Sequence, residues 1–517
     1  MKRMVALLIM AALLGCMCPL ASAEEAHTSL VIAEGSEWWG LDVGQLDGTA
    51  YTQALTTEPL IVLDADGTLQ PCIASAVSMS EDGLTLTMTF DEGMYFANGN
   101  TLDPEDVVAS IERLQEVSPF SSQFSTIESM EISGRDVIFH LSAYAADLTN
   151  ALASSWVNIL DTSEIESKTA DELLWDCTPY GLYSVKEYVQ GSHVVLARNE
   201  GFVTHNPHVE NKGPAAVEEV TVRFIAEEFT MAQEANLGNI DIIMNISANG
   251  ADQITREDVV KTCLLANPNI NYLEFNLTDS VMSDINIRKA IALAIDRDEL
   301  CALCDNTIVP AYSYVTDHVF NHNADWAAYY QENFCNDVEA AKALLAESGW
   351  SDTDGDGIVD KDGVPLVLHT VTSNIQSPDA LVAQGLQIQL MNIGVYLDLD
   401  MQEDSYHYDT LINGDFQVGT SRFGCDEPIM LLQWALNYYD SLDVTCGQDA
   451  FFAAIAEIAA TPDYATRTEM VYGVEQMLGE DVVIVPLYTT LINYVCAQDV
   501  TGPIFMGNGR VYFNDMK

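Results

Sequence analysis

Basic residues are scarce in this sequence. Lysine and arginine together number 20 in 517 residues, against 78 aspartates and glutamates, so the formal net charge at pH 7 is -58. A field of that sign repels the phosphate backbone of nucleic acids, and the composition therefore excludes nucleic-acid binding. Because like-charged molecules also repel each other, we expect a monomer.

Long hydrophobic runs are missing as well. The apolar run MVALLIMAALL at residues 4–14 follows a basic start and is too short to span a bilayer as a helix. We interpret residues 1–23 as a signal peptide and expect an exported mature chain. The sequence LLGC at 13–16 resembles a lipobox, which would make Cys16 a lipidated N-terminus, and ASA at 21–23 offers ordinary cleavage as the alternative.

Catalytic motifs are absent too. The sequence contains no GxSxG, HExxH, GxxxxGK[ST] or dinucleotide GxGxxG pattern, and we therefore expect no enzyme. Of the 11 cysteines, nine follow residue 23, and their odd number and wide spacing predict buried thiols instead of a disulfide framework. The CxxC of Cys301 and Cys304 has no second copy, which favours a structural role over zinc or redox chemistry.

The remaining composition describes a folded protein with more than one core. Apolar residues make up 48% and charged residues 19%, and 517 residues exceed what a single core holds. SLVIA at residues 29–33 predicts a buried strand, and Asp103 with Pro104 predicts the start of a helix. Between residues 271 and 399 predicted strands and helices alternate, with one long helix over 287–303. This alternation is typical of an α/β sheet.

Collinear segments along nearly the whole predicted mature chain resemble the substrate-binding proteins of bacterial peptide and nickel ABC transporters. These segments are EPLI (58–61) with DADGTLQP (64–71), SEDGLT (80–85) through FANG (96–99) and DPEDV (103–107), TPYGLY (178–183) with LARN (196–199), GNID (238–241), IRKAI (287–291) with AIDR (294–297), and AAKALL (340–345) with GW (349–350). A single match of this kind is weak, but an ordered series identifies the sequence as a member of that family.

The resemblance implies a two-lobed α/β fold of the periplasmic-binding-protein type with an additional small domain, known as cluster C. On this basis we expect lobe I to comprise residues 27–59, 166–268 and 482–517, with the extra domain inserted at 60–165, and lobe II to comprise 269–481. We also expect the two lobes to close on a captured solute and to present a surface to a membrane permease.

Two segments are candidates for contact with that solute. Trp38 and Trp39 follow the first predicted strand, and aromatic side chains commonly wall small-ligand clefts, although both could instead be core residues. RFGCDEP at 422–428 follows a strand predicted at 415–419, in a region where the resemblance implies a ligand-contacting loop. There Arg422, beside Phe423, could bind a carboxylate, and Asp426 or Glu427 could receive an ammonium group; the alternative is a turn in which Arg422 pairs with Asp426.

Two further segments contain residues that are suited to bind a metal ion. Residues 352–360 (DTDGDGIVD) begin like a calcium-binding EF-hand loop, with oxygens available from Asp352, Asp354, Asp356 and Asp360, but position twelve is a glycine. Any calcium would therefore be structural, and we expect no other cofactor; an acidic turn is the alternative. His318 and His322 have helical metal-site spacing, but neighbouring asparagines favour a loop.

We expect a substrate-binding component of an ABC importer that captures short peptides outside the cytoplasmic membrane. Within the family the alternative is a nickel or metallophore binder, although Ile429 replaces the histidine that follows Asp-Pro in the nickel-binding relatives. Alternatives of other classes are a secreted hydrolase, which would alter its guest, and a receptor that passes ligand occupancy to a membrane sensor.

Overall fold

The computed structural model describes residues 28–64, 67–256, 260–266, 269–304, 307–317, 319, 321–373, 377–424, 428–429, 431–432, 448–505 and 511–517. The predicted signal peptide and Cys16 therefore lie outside the described residues, as do His318, Asp426 and Glu427. Within the described ranges, no helix combines the length and the apolar character that crossing a membrane requires.

The first part of the chain supplies one sheet strand and a small antiparallel unit. The strands are β1 (Ser29–Glu34), β2 (Ile61–Leu63), β3 (Leu69–Pro71), β4 (Ala76–Met79), β5 (Thr85–Thr89), β6 (Ile127–Ser133) and β7 (Asp136–Leu141), and the helices are α1 (Pro104–Val117), α2 (Ala146–Leu152), α3 (Thr162–Ser167) and α4 (Ala170–Leu173). Short 3-10 turns occupy Val43–Gln45, Tyr51–Leu55 and Ser121–Phe124. Strands β4 to β7 form a sheet in the order β4-β5-β7-β6.

Local sequence explains several of these elements. In β5 the alternation places Leu86 and Met88 in the core and the intervening threonines outward. Helix α1 begins after Asp103 because Pro104 suits the first helical position, and the Asp106 carboxylate accepts the Asp103 N–H at 2.8 Å.

The chain then completes the sheet that β1 began. Its elements are β8 (Tyr183–Val189), β9 (His193–Arg198), β10 (Glu219–Phe224), α5 (Glu228–Asn236), β11 (Ile242–Ile246), α6 (Ala248–Asp252) and β12 (Val260–Ala266). Strand β1 lies between β10 and β11 and runs parallel to both, while β8 and β9 extend the sheet as an antiparallel hairpin. We call this sheet and the four-stranded unit lobe I.

Lobe II follows and ends with the strand that returns to lobe I. Its strands are β13 (Asn269–Phe275), β14 (Ile308–Pro310), β15 (Asp360–Lys361), β16 (Val364–Pro365), β17 (Val367–Ser373), β18 (Tyr396–Gln402), β19 (Val418–Gly424) and the first half of β20 (Ile484–Ala497). Its helices are α7 (Ile285–Ala294), α8 (Arg297–Leu303), α9 (Ala324–Asn333), α10 (Val338–Glu347), α11 (Ser377–Met391), α12 (Asp404–Asn413), α13 (Gln448–Ala459) and α14 (Tyr464–Glu480). Strands β17, β18 and β19 run parallel to one another where they pair, as predicted for an α/β sheet. After β20 come β21 (Ile504–Phe505) and β22 (Val511–Tyr512), which pack in the same hydrophobic core as β1.

Strand β20 joins the two lobes. Its first half pairs with β13 and β14 of lobe II, and its second half pairs with β12 and β11 of lobe I. Twelve strands of the two lobes therefore form one continuous sheet, with the order β18-β17-β19-β13-β20-β11-β1-β10-β9-β8 and with β12 and β14 paired to β20 beside this path. The lobes are therefore joined by ordered strands.

Two hydrophobic cores confirm the two-lobed architecture. The first core contains Leu30 of β1 together with Phe139 of the inserted unit, and the second contains Leu273 of β13 and Leu368 of β17. Residues 482–488, which we had assigned to lobe I, pack in the second core instead, because they form the half of β20 that pairs with β13. The other predicted domain limits stay a prediction.

The long helix predicted over 287–303 was wrong. Ile295 has an extended backbone (φ -85°, ψ 120°), which ends α7 at Ala294. Asp296 then caps α8 by accepting the Glu299 N–H at 3.0 Å. Continuous apolar character hid this break, because an aspartate that caps a helix resembles one that sits on its exposed face.

Candidate functional site

Concave surfaces lie at the carboxyl ends of parallel strands in both lobes, which is where open α/β sheets commonly bind ligands. In lobe I, β1 ends at Glu34 beside the end of β11, and the loops that follow form a groove with about 610 Å³ of empty space. We call it the lobe I groove; its lining residues are Glu34, Gly35, Ser36, Glu37, Trp39, Gly48, Thr49, Ala50, Tyr51, Gln53 and Asn245.

Glu34 is a buried carboxyl group in the lining of this groove. Its Oε1 accepts the Tyr51 N–H at 2.6 Å, and its Oε2 accepts the Thr52 hydroxyl. Burial raises the pKa of Glu34 to about 7, although these hydrogen bonds oppose the shift. The carboxyl group therefore changes charge near neutral pH.

Glu37 and Trp39 lie at the more exposed part of the groove. The Glu37 Oε1 accepts the Tyr188 hydroxyl and the Gly191 N–H, both at 2.7 Å, so neighbouring β8 and its turn hold the carboxylate in place. The Trp39 side chain is 62% exposed. Its indole is therefore accessible in the groove, and its contact with a guest stays a prediction.

The prediction that Trp38 contacts the solute was wrong for the described conformation. Trp38 is 1% exposed and belongs to the first core, where its Nε1 donates to the Thr52 hydroxyl at 2.8 Å. Thr52 in turn donates to Glu34. Trp38 thus supports the groove from beneath, and its neighbour Trp39 lines the groove.

Asn245 occupies an unusual place in the lobe I groove. It lies within β11 but has φ 55°, and the pairing of β11 with β20 shifts register between Ile243 and Ile246. A left-handed asparagine in a strand turns its side chain away from the regular alternation. The sequence carries no local signal for this bend.

Lobe II has a second pocket, beside the carboxyl ends of β17 and β19. It has about 420 Å³ of empty space and is lined by Asn271, Tyr272, Ser373, Asp379, Val382, His407, Tyr408, Leu411, Thr420, Ser421, Arg422, Leu487 and Tyr488. We call it the lobe II pocket. The lining combines apolar side chains with a few convergent polar groups, as small-ligand sites usually do.

The charged centre of the lobe II pocket is a cluster of three side chains. The Arg422 Nη1 lies 3.5 Å from the Asp379 Oδ2, and the Tyr488 hydroxyl donates to the Asp379 Oδ1. Burial, followed by the neighbouring Asp379 charge, raises the pKa of Tyr488 well above its usual range. Tyr488 therefore stays a neutral donor. Both carboxylate oxygens of Asp379 have a partner, Oδ1 in Tyr488 and Oδ2 in Arg422.

The structure corrects the setting of Arg422. We predicted a loop after a strand at 415–419, but β19 runs from Val418 to Gly424 and carries Arg422 within it. The strand extends further because its residues pair with β13 as far as Asn269 and Gly424. Arg422 lines the pocket, its described carboxylate neighbour is Asp379, and its contact with a ligand stays a prediction.

Phe423 is placed differently from Arg422. It is partly buried and packs against the second core, and it is not among the lining residues of the lobe II pocket. Successive strand residues point to opposite faces, so Arg422 and Phe423 separate. The predicted ligand contact of Phe423 stays a prediction, and Asp426 and Glu427 lie outside the described residues.

Sequence reasoning missed Asp379, Tyr488, Glu34 and Asn245. The available signal for Asp379 was its position in the first turn of a predicted helix after a strand, where a carboxylate favours the helix N-terminus and also reaches the sheet edge. Tyr488 comes from β20, more than 100 residues away along the chain. No local pattern identifies a partner at that separation.

The predicted calcium ligands separate into two groups. The carboxylate oxygens of Asp352, Asp354 and Asp356 lie within 4.8 Å of one another, and all three residues are exposed. Asp360 instead accepts the Thr353 N–H at 2.9 Å and the Thr353 hydroxyl at 2.8 Å. Three of the four residues can thus approach one cation, and structural calcium stays a prediction.

The other metal and redox candidates have structural surroundings. Cys301 and Cys304 are buried at the end of α8, and burial raises the pKa of Cys301 to about 12, so its thiol stays protonated. His322 contacts the Val315 carbonyl through Nδ1 at 2.6 Å. Among the described residues, one group of three or more His, Cys, Asp or Glu side chains lies close enough together to hold a metal ion, and it consists of Asp352, Asp354 and Asp356.

Comparisons with known proteins agree with this architecture. The family described as Bacterial extracellular solute-binding proteins, family 5 Middle, matches residues 68–440. The chain is 26% identical over 495 residues to the periplasmic oligopeptide-binding protein OppA of Salmonella typhimurium, covering 89% of this chain and 87% of that protein. It is 23% identical over 401 residues to the nickel-binding periplasmic protein of Escherichia coli, covering 73% of each.

A solved structure extends the agreement to the fold. NikA from Brucella suis, in complex with Fe(III)-EDTA, superposes with a TM-score of 0.81 at 22% identity, covering 95% of this chain and 99% of that chain. At this identity the likeness concerns the fold. The overall fold is therefore shared with a protein whose crystal contains a metal chelate.

Proposed function

The chain belongs to the bacterial extracellular solute-binding proteins, family 5, and we propose that it is the substrate-binding component of an ABC importer, which captures short peptides outside the cytoplasmic membrane. We infer the peptide specificity from the relatives that are named as oligopeptide-binding proteins. The partner of the loaded protein is then a membrane ABC permease, to which it delivers the peptide.

The observation that carries the proposal is the position of the two concave surfaces beside the strand shared by both lobes. Tyr488 of β20 lines the lobe II pocket, and Asn245 of the lobe I groove precedes Ile246, which pairs with Asn493 of the same strand. Five residues separate Tyr488 from Asn493, which is roughly 17 Å along a strand. An extended peptide of about five residues spans that distance.

Closure of the lobes on such a peptide has a physical basis. The lobes are linked by β20 and by the strands β12 and β13, so small backbone rotations near the crossover change the angle between the lobes. Closing the cleft excludes water, which strengthens each polar contact to the guest. Arg422 supplies a donor for a guest carboxylate, with Asp379 holding the guanidinium beside the pocket.

A nickel or metallophore complex is the second candidate guest. Its support is the likeness to the nickel-binding protein of Escherichia coli and to the structure that contains Fe(III)-EDTA. The lobe II pocket also contains His407, whose imidazole is a suitable metal ligand. An anionic chelate would occupy the same pocket and use Arg422 as a counter-ion.

The location and state of the protein follow from the same reasoning. Members of the family are extracellular solute-binding proteins. We propose that this protein is exported as a monomer and is anchored by lipid at Cys16, and that it releases its guest chemically unaltered. Metabolic labelling with a fatty-acid analogue tests the anchor, since Cys16→Ala would remove the label and leave the protein exported.

Identification of the natural guest tests the function. The purified protein is analysed by native mass spectrometry, the released guest is sequenced, and its affinity is measured by calorimetry. We expect peptides of about four to six residues, recovered intact, because the two surfaces lie beside positions of β20 that are roughly 17 Å apart along the strand. Recovery of nickel chelates without peptides would transfer the assignment to the second candidate, and a shortened peptide after incubation would indicate a hydrolase.

A further inference from the structure

The lobe I groove is lined by acidic groups without basic ones. Its described lining residues include Glu34 and Glu37 and contain no lysine, arginine or histidine. The chain as a whole has only 20 basic residues, so their absence here leaves a local negative potential. A guest group that enters this groove meets carboxyl groups and the exposed indole of Trp39.

Nearby basic side chains do not neutralise these carboxyl groups. Lys186 on β8 lies 2.7 Å from Glu219, and Arg223 on β10 lies 2.7 Å from Glu234. Lys186 and Arg223 are therefore already paired with carboxylates outside the groove, and so is Arg198 of β9, which lies 2.8 Å from Glu200. The negative potential of the lobe I groove remains for the guest to compensate.

Glu37 is held in a position to receive a cation. One of its oxygens accepts hydrogen bonds from Tyr188 and Gly191, which fixes the carboxylate. Within the ranges that the structure describes, the other oxygen accepts no hydrogen bond. A fixed carboxylate with a vacant acceptor oxygen can accept a charge-assisted hydrogen bond at little cost in side-chain entropy.

Trp39 adds a second, independent attraction for a cation. Its side chain is 62% exposed, and its ring lies against the loop at Gly48, where an added Cβ would be 3.6 Å from the indole. The ring is thus supported on one side and open on the other. The face of an indole attracts ammonium and guanidinium groups more strongly than other aromatic side chains do.

The lobe II pocket has the opposite character. Its lining contains Arg422, which is paired with Asp379, and His407, so the pocket offers donors to a carboxylate and leaves the Asp379 charge already compensated. A peptide that lies across both surfaces is therefore sorted by charge, with its anionic group toward lobe II and its cationic group toward lobe I.

We propose that the lobe I groove is a subsite for the cationic side chain of a lysine or arginine residue in the bound peptide, held between the Glu37 carboxylate and the Trp39 indole. This subsite rests on the proposed function, since it concerns a residue of the same peptide guest. It makes the protein a selective binder of basic peptides.

The test compares peptides that differ only in one side-chain charge. Three series of N-acetylated pentapeptides carry lysine, norleucine or glutamate at each position in turn in an alanine background, and binding is measured by calorimetry. We expect the best lysine peptide to bind about tenfold more tightly than its norleucine counterpart, and the glutamate peptide to bind most weakly. Acetylation removes the terminal ammonium group, so the preference would belong to the side chain.

Variants locate the preference in the groove. Glu37→Gln keeps the accepting oxygen and removes the charge, and Trp39→Leu removes the aromatic face; each should reduce the lysine-to-norleucine ratio to about threefold or less. Trp39→Phe should restore part of the ratio. Glu339→Gln, on an exposed helix of lobe II, is the matched control and should leave the ratio unchanged.

Two results would overturn the subsite, and they differ in what they say about the function. Equal binding of lysine and norleucine peptides, or a preference that Glu37→Gln and Trp39→Leu leave intact, ends the subsite and leaves peptide capture standing. Failure of every peptide to bind at millimolar concentration, with or without the acetyl group, ends both.

Discussion

In lobe II the guanidinium of Arg422 lies 3.5 Å from the Asp379 carboxylate, whereas in lobe I the groove places Glu34 and Glu37 together with no basic residue in the described lining. In lobe II the charges of the binding surface are therefore balanced by each other, whereas in lobe I the negative charge has to be balanced by a cationic group of the guest. The difference shows that two halves of one cleft can contribute in different ways, one by a preorganised donor and one by an uncompensated potential.

The buried arginines extend this comparison to stability. In lobe I, Arg113 donates two hydrogen bonds to the Asp42 carboxylate, at 2.6 and 2.9 Å. In lobe II, the fully buried Arg288 donates to the backbone carbonyls of Met282 and Asp481, at 2.6 and 2.7 Å. Each guanidinium fastens distant segments of its own lobe.

The largest expected effect comes from removing one of these arginines. Arg113→Met leaves Asp42 buried without its guanidinium partner and should lower the free energy of unfolding of lobe I by about 3–5 kcal/mol. Scanning calorimetry should show the lobe I transition moving down while the lobe II transition stays, and Arg288→Met should do the reverse.

Exposed charge pairs provide the control for this measurement. Lys186→Met breaks the exposed pair with Glu219 and should change stability by about 1 kcal/mol or less. If Arg113→Met and Arg288→Met lower one common transition, the lobes unfold as a single unit, and the comparison between them fails at the level of stability.

Buried glutamates predict the pH dependence of both lobes. Burial raises the pKa of Glu34 in lobe I and of Glu475 in lobe II to about 7, from an ordinary value near 4.5. The folded state therefore holds protons that the unfolded state releases between these values. The resulting stabilisation is present below pH 4.5 and is lost as the pH rises through 7, by at most roughly 3 kcal/mol for each group.

Glutamine variants separate the two contributions. The Glu475 Oε1 accepts the Ser313 hydroxyl at 2.6 Å and the Val315 N–H at 2.8 Å, and a glutamine oxygen can accept both. Glu475→Gln should make the unfolding free energy fall less steeply between pH 5 and 8 than in the parent protein. Binding of a basic peptide should reduce the pH dependence of the unfolding free energy that is due to Glu34 and leave the pH dependence due to Glu475 unchanged. Unchanged slopes in both experiments would refute the assignment of this pH dependence to the two glutamates.

Arg422→Ala tests the preorganised donor of lobe II. Loss of a charge-assisted hydrogen bond to a guest carboxylate should weaken peptide binding by about 1–3 kcal/mol, measured by calorimetry. Arg198→Ala, at an arginine of lobe I paired with Glu200, is the control and should bind peptide normally. An unaltered affinity in Arg422→Ala would remove this residue from the binding site.

Calcium gives the smallest expected effect, confined to lobe II. If Asp352, Asp354 and Asp356 bind calcium with a dissociation constant near 1 mM, then 10 mM calcium stabilises the protein by about 1.4 kcal/mol. Asp354→Asn should abolish the rise in the lobe II melting temperature. The same rise in the variant would show that calcium acts elsewhere.

Much of the fold could be predicted from the sequence because its signals are local. The run at residues 29–33 became β1, and Asp103 with Pro104 marked the start of α1. The break between α7 and α8 was missed because an aspartate that caps a helix, as Asp296 caps α8, cannot be distinguished in the sequence from an aspartate on the exposed face of a continuous helix. The family resemblance supplied what local patterns lack, namely the order of the lobes.

The candidate site could be predicted only in part because its contacts are long-range. Trp38 and Trp39 are adjacent and chemically alike, yet one is core and one is exposed, a choice that the packing of Thr52 and Glu34 decides. Arg422 was identified by its chemistry, but its neighbour Asp379 comes from a helix 43 residues earlier. Such pairs follow from strand order in the sheet, which spacing along the chain does not encode.

The late position of β20 also constrains how the molecule matures. This strand is central to the shared sheet, and its residues come after 483 others in chain order. Until it is made and docked, β11 and β12 in one half and β13 and β14 in the other expose backbone donors and acceptors without their native neighbour. A growing chain therefore cannot finish either half before β20 has been made, and both halves reach their final form together when β20 docks.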